Sequence, residues 1–264
     1  MELLPAASIA VARVDLKPHD PAAVAVASAA AARLQCLAPL LPSLDTLVVA
    51  LVPDDREFAA LLLVEGAVSE PDLRACAADL ARTLAARAPP EGSSPPVLPA
   101  GTTGAGMRPR FIVGLDAGTE RLPRGLRNPV AGMLTRLAGH PVAFAVEGGE
   151  ALRSLSSLAV TYLPFPSMGT AADRILAVGC GLRPLPDGGA ELRMEIDLVD
   201  AAAAAALARQ IRNVGRIVSL PGDEAAWAPF RERVHSLAAR VAGDGSTVEA
   251  DAILTPEGLR GLLL

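Results

Sequence analysis

Residues 191–198 alternate without a fault. Leu192, Met194, Ile196 and Leu198 fall on one side of an extended chain, and Glu191, Arg193, Glu195 and Asp197 on the other. A period of two held over this length is what a half-buried strand requires, because successive side chains leave a sheet on opposite faces. Pro186-Asp187-Gly188-Gly189 just before it is turn chemistry, since glycine accepts a positive φ without steric penalty. Ile175 to Gly181 therefore reads as the partner strand of a hairpin. Asp200 then caps a helix from Ala201 to about Val214, its carboxylate accepting an otherwise unsatisfied N–H of the first turn.

The same order of signals occurs earlier. Thr46–Val52 and Phe58–Val64 are apolar strands joined by Pro53-Asp54-Asp55-Arg56, and Ser69 caps a helix whose buried stripe is Leu73, Ala77, Leu80 and Leu84. Asp45–Leu84 and Asp173–Ile211 thus share hairpin, cap and amphipathic helix, an architectural repeat of low identity. Each is preceded by a further strand and helix. In the first half these are Ser8–Leu16 and an Ala-rich run opened by Asp20-Pro21, with Val26, Ala30, Leu34, Leu37 and Leu41 at helical spacing. In the second half, Phe111–Leu115 is a short strand, Asn128–Leu137 a helix and Pro141–Glu147 a strand. From Asp223 the apolar residues Trp227, Phe230, Val234, Leu237 and Val241 recur at helical spacing and predict a long final helix. Thr247–Leu254 alternates as a last strand, and Pro256–Leu264 closes as a short helix.

These elements predict an α+β protein of two βαββα-like units, mainly antiparallel sheets with helices packed on one face. Five prolines with Gly and Ser between Ala88 and Arg108 have linker composition. The expected division is 1–88 for the N-terminal unit, 89–108 for the linker and 109–264 for the C-terminal unit. Gly101-Thr-Thr-Gly104-Ala-Gly106 looks like a phosphate-cradling loop, but it follows this linker and leads to Arg108-Pro109-Arg110 and a strand, not to a helix N-terminus; it reads as linker.

At this point a resemblance appears. The string from Gly189 to Ala208 (GAELRMEIDLVDAAAAAALA), the ending Asp244–Leu263 (DGSTVEADAILTPEGLRGLL), the entry Leu4-Pro5-Ala6 and the strand Asp45-Thr-Leu-Val-Val-Ala50 resemble a group of uncharacterised secreted proteins and lipoproteins of GC-rich bacteria, of the myxobacterial type. The resemblance covers nearly the whole chain. It implies an exported protein and carries no catalytic residues. No signal peptide is visible, since Met1 leads almost directly into the first strand-like segment. The expected location is the cell envelope or periplasm if an export signal has been removed, and the cytoplasm otherwise.

Composition narrows the function. Seven of 264 residues are aromatic and the net charge is −5. Few faces are on offer for stacking bases or sugars, and no global field favours nucleic acid or an anionic membrane. No apolar stretch is long enough to span a bilayer. Cys36, Cys76 and Cys180 are widely spaced and include no CxxC pair, which rules out a disulfide framework or thiolate zinc site as the organising feature. Cys36 and Cys76 fall among apolar helix positions and are expected as buried free thiols. Gly179-Cys180-Gly181 places a thiol between glycines in a strand, where close packing is the expected reason.

No GxSxG elbow, HExxH helix or phosphate-binding Walker loop occurs. His19, His140 and His235 are far apart in sequence, and His235 is expected on the surface. If the strands 191–198 and 247–254 are neighbours, Glu191, Glu195, Asp197, Glu249 and Asp251 form an acidic surface interleaved with Arg193, too flat to converge oxygens on a cation. Two segments are candidates for contact. Tyr162, Phe165 and Met168 sit in a proline-punctuated stretch with no period to place them in a core, and are the candidate partner-binding residues. Arg121, Arg124 and Arg127, within a run that also holds Arg108, Arg110 and Arg136, are the candidate anion-binding residues.

The leading reading is a non-enzymatic binding or scaffolding protein of the bacterial envelope with a protein partner. It involves no cofactor, metal or nucleic acid. Two alternatives stand beside it: a small-molecule or anion-binding module with an Arg-lined site between the units, and an enzyme of unrecognised type for which Cys180 and the histidines are the only candidates. Oligomeric state is not encoded in any motif.

Overall fold

The computed structural model describes residues 3–16, 23–24, 36–53, 58–84, 95–103, 108–114, 124–126, 129–149, 152, 172–219 and 228–263. It divides into two compact units, Met1–Ala131 and Gly132–Leu264.

The first unit carries β1 (Ala10–Asp15), β2 (Leu44–Pro53), β3 (Phe58–Gly66), helix α1 (Glu70–Leu84), β4 (Val97–Thr103) and β5 (Arg108–Gly114). Its strands lie in the order β4-β5-β3-β2-β1, and each described pairing is antiparallel. The Ser69 hydroxyl accepts the Asp72 N–H at 3.2 Å, the expected cap of α1. Leu73, Cys76 and Ala77 form its buried stripe. Ala59 to Leu62 of β3 are all buried, the continuous apolar run of a strand covered on both faces.

After helix α2 (Pro129–Arg136), the second unit carries β6 (Val142–Glu147), β7 (Ile175–Pro184), β8 (Ala190–Leu198), α3 (Ala201–Ser219), α4 (Ala228–Arg233), β9 (Val234–Val241), β10 (Thr247–Leu254) and α5 (Pro256–Leu263). Its order is β6-β7-β8-β10-β9, again antiparallel throughout. Gly188 takes the positive φ that the β7–β8 turn requires. Asp200 accepts the Ala203 N–H at 2.8 Å and so caps α3; that bond, with Arg174 beside it, holds the carboxyl below its ordinary range. Leu192, Met194, Ile196 and Leu198 pack with Val248, Ala250, Ala252 and Leu254 against Ala204, Leu207, Ala208 and Ile211 of α3.

The expectation of two βαββα units with helices on one face is overturned. The described residues hold ten strands, five in each unit, so antiparallel sheet dominates and the helices are few. In each unit, counted along the chain, the strands lie in the spatial order first, second, third, fifth, fourth. Two further strands account for the difference. Val97–Thr103, inside the expected 89–108 linker, is β4; it tolerates Pro99 because β4 pairs with β5 alone among the described strands. Gly101, the first glycine of the phosphate-loop lookalike, takes φ +90° at the irregularity in this ladder. Val234–Val241, expected as the end of a long helix, is strand β9. Its Ser236, Ala238 and Arg240 are exposed, and pairing with β10 overrides the helical spacing of Phe230, Val234, Leu237 and Val241. Helices also sit on both faces of the second unit's sheet. Where α3 covers one face, Met133, Leu137 and His140 close on the other, over Gly179 and Gly181 of β7. A Cβ at Gly181 would lie 2.5 Å from the His140 ring, and one at Gly179 would lie 3.0 Å from Leu137. Close packing is the reason for the Gly179-Cys180-Gly181 motif.

One end strand of each order, β4 in the first unit and β9 in the second, is guarded by a helix. Arg74 of α1 donates to the Val97 carbonyl of β4 at 3.3 Å. Arg212 of α3 donates to the Ala239 carbonyl of β9, also at 3.3 Å. Gly215, one turn further along α3, packs so tightly that a Cβ there would lie 2.1 Å from the Leu237 oxygen. Covering such edges removes a template for unwanted strand pairing.

Cys36 and Cys76, expected as free thiols, are joined by a disulfide, with Cα atoms 5.2 Å apart. Neither residue carries a local motif that announces the pairing. The bond ties the turn before β2 to the buried face of α1.

Candidate functional site

The polar face of β8 and β10 gathers the densest set of charges among the described residues. Register dictates it: Thr247 faces Asp197, Glu249 faces Glu195 and Asp251 faces Arg193. Glu249 opposite Glu195 is a like-charge pair, which costs stability unless cations intervene. Arg193 intervenes from within the sheet. Its guanidinium lies 3.4 Å from Glu195, 2.9 Å from Glu249 and 3.1 Å from Asp251. From the end of α2, Arg136 bonds Glu195 and reaches both oxygens of Asp197, at 2.9 and 2.8 Å. Arg240 of β9 closes the other side on Glu249 at 2.7 Å.

Burial and bonding set the charge states here. Glu195 is only 4% exposed and Thr247 5%, although both belong to the polar face. The Arg240 hydrogen bond holds the Glu249 carboxyl below its ordinary range; partial burial opposes this and Arg193 assists. Burial works against the charge of Arg136 and Arg193, but their carboxylate partners outweigh it and leave both guanidiniums more firmly protonated than usual. At the near end Thr247 bonds Asp197 and Asp244, and its hydroxyl and N–H, with the Ser246 N–H, hold the Asp244 carboxyl low.

The result is a continuous network in which Thr247 joins Asp244 to Asp197, and charge then alternates through Arg136, Glu195 and Arg193 to Glu249 and Arg240. Each carboxylate in it already has a partner. Oxygens tied to guanidinium groups are poor ligands for a hard cation, which needs several of them converging on one point. Among the described residues no three His, Cys, Asp or Glu side chains are grouped to hold a metal.

The sequence candidates divide. Tyr162, Phe165 and Met168 lie outside the described residues, as do Arg121 and Arg127. Arg124 forms an isolated bridge with Pro5. The described arginines of the same basic run take separate partners: Arg108 lies 3.7 Å from Asp45, Arg110 bonds the Thr102 carbonyl, and Arg136 turns to Glu195 and Asp197. His140 lies in the loop between α2 and β6 and is buried there, and burial, with Arg183 nearby, pushes its pKa down. His235 is exposed, and His19 lies outside the described residues. Cys180 is half-buried as a residue, but its sulfur is enclosed, and burial pushes the thiol up to about 12. Such a thiol is a poor nucleophile at neutral pH. Alternation gave away Arg193 and its acids, whereas Arg136 carried no signal for its pairing because its partners lie about sixty positions away.

No family model matches this chain. No curated protein matches it. Among solved structures, crystal form I of TP0453 is similar over 99% of this chain and 95% of that one, at 9% identity and a TM-score of 0.51. Crystal forms III and IV of TP0453 also align, at 8% and 9% identity with TM-scores of 0.49 and 0.46. At this identity the first likeness speaks for the fold alone. Among the described residues, no helix is long and apolar enough to cross a membrane.

Proposed function

We propose that the chain is a non-enzymatic binding or scaffolding protein of the bacterial envelope that docks a protein partner. The observation that carries this reading is the self-paired charge lattice of β8, β10 and β9. Its groups hold one another in place, which limits the ordering cost of binding. Its outer members, Arg240 and Asp251, are exposed at 69% and 44%. The enclosed Cys180 thiol weighs against the enzymatic alternative. The envelope assignment comes from the resemblance of the sequence to exported proteins. The expectation that an apolar segment, Tyr162 to Met168, contributes to the contact comes from its proline-punctuated sequence, which has no period to place it in a core. The shared strand order supports reading the two units as an internal repeat.

The test is photocrosslinking in intact native cells, with a photoreactive residue at Ser236 or Ala238 on the exposed side of β9, or at Tyr162. A discrete adduct with one protein, weakened by Tyr162→Ser with Phe165→Ser or by Arg240→Glu, is the expected result. Absence of any adduct from all three positions refutes the reading.

A further inference from the structure

The pairing of Cys36 with Cys76 points to chemistry that the chain undergoes, as distinct from anything it binds. Their Cα atoms are 5.2 Å apart, within the range a disulfide spans without backbone movement. The two residues are unequal. Cys76 is 3% exposed on the packed face of α1, between Leu73 and Ala77. Cys36 is half-buried, in the turn just before the buried Leu37, whose carbonyl accepts the N–H groups of Leu40 and Leu41. Cys180, the third cysteine, remains a thiol and packs against the core of the second unit. One pair is thus matched in position and the remaining thiol is sequestered elsewhere, so the pairing is unambiguous. Disulfides of this kind persist in oxidising compartments and are reduced in the cytosol.

We infer that Cys36 and Cys76 are a site of oxidative maturation, closed outside the reducing cytosol by thiol–disulfide exchange with the reactive disulfide of a thiol oxidoreductase. The Cys36 thiolate, the accessible one, attacks a sulfur of the donor disulfide; a Cys36–donor mixed disulfide forms and one donor thiolate leaves. The Cys76 thiolate then attacks Cys36 Sγ, the Cys36–Cys76 bond forms and the second donor thiolate departs. The two cysteines lose two electrons and two protons, and the donor disulfide is reduced to two thiols. This rests on the envelope part of the reading above but not on the partner-binding part.

The test counts thiols on the full chain in its native cells. Intact cells are quenched with acid, the protein is denatured without reductant in N-ethylmaleimide, and its mass is measured before and after reduction. One adduct before reduction and two more after it are expected, with a non-reduced peptide pair containing Cys36 and Cys76. Three adducts before reduction, or a bond that includes Cys180, overturns the inference. A crosslinked partner found together with three free thiols would leave the binding reading standing and remove this one.

Discussion

Replacing both Cys36 and Cys76 by Ala should loosen the first unit selectively. The bond closes a loop of 40 residues that contains the β2–β3 hairpin and the first half of α1. With the chain-entropy relation, a loop of that length restrains the unfolded chain by about 13 cal/mol/K, or about 4 kcal/mol at 25 °C. Engineered and native bridges commonly deliver about 2–4 kcal/mol, so the expected loss is in that range. With a denaturant slope of about 2 kcal/mol/M, the midpoint of the first unit should fall by about 1–2 M urea. The sole tryptophan, Trp227, belongs to the second unit and is the wrong probe. Hydrogen exchange across a urea series, read by mass spectrometry on peptides from β2, β3 and α1, reports the first unit directly. Peptides from β8 and β10 serve as the internal control. An unchanged midpoint in the first-unit peptides, or an equal fall in both sets, refutes the reasoning.

The charge lattice makes a graded prediction. Glu195→Ala, which leaves Arg136 and Arg193 without their most buried partner, should cost about 1–3 kcal/mol, discounted from the figure for a fully buried pair because both arginines are partly exposed. Arg240→Ala, at a 69% exposed side chain, should stay within about 1 kcal/mol; urea midpoints check both, and equal effects would contradict the burial difference. Gly215→Ala gains helix propensity of about 1 kcal/mol but drives a Cβ into the Leu237 carbonyl, a backbone atom that cannot rotate away; a net loss of about 1–2 kcal/mol is expected by thermal unfolding. Burial lowers the folded pKa of His140 from 6.5, against the raising influence of its Leu137 and Glu191 neighbours and with Arg183 and Arg193 adding to the lowering. Above pH 6.5 both folded and unfolded states hold it neutral and no penalty applies. As pH falls through 6.5 the unfolded chain takes up the proton first, so stability drops by at most about 1.4 kcal/mol per pH unit until the folded pKa is passed. The difference in stability between pH 7.5 and 5.5 should shrink in His140→Gln if this group is responsible.

Local signals recovered what local physics determines. The alternation of 191–198, the Asp200 and Ser69 caps and the glycine turn at Gly188 all act within a few residues, and each stands where the sequence placed it. Failures came where tertiary pairing competes with local preference. Phe230 to Val241 has helical spacing, but an open side of β10 offered Leu237 and Ala239 a ladder, and the chain took it. Val97 to Thr103 carries Pro99, Gly101 and small polar residues, the vocabulary of a linker, and is strand only because an outermost position spares Pro99 the missing N–H. That Glu195 and Glu249 share a face could be anticipated from alternation once their strands are neighbours, and so could Arg193, which lies between them; Arg136, which pairs Glu195 with Asp197, arrives from a helix with no sequence proximity to either. The Cys36–Cys76 bond was hidden for the same reason, since it depends on the distance between a turn and the buried face of a helix and not on spacing along the chain.

The guarded outer strands carry a consequence for how this protein behaves at high local concentration. Main-chain oxygens of Val97 and Ala239 that would otherwise invite a neighbouring copy are already occupied by Arg74 and Arg212. Edge-to-edge zippering is thereby discouraged at β4 and at β9. Stickiness is left to side-chain surfaces, which evolution can retune one residue at a time without unpicking a ladder. A single Arg74→Ala or Arg212→Ala exchange thus touches the solubility of the molecule more than its stability, and a crowded compartment is where that difference would tell.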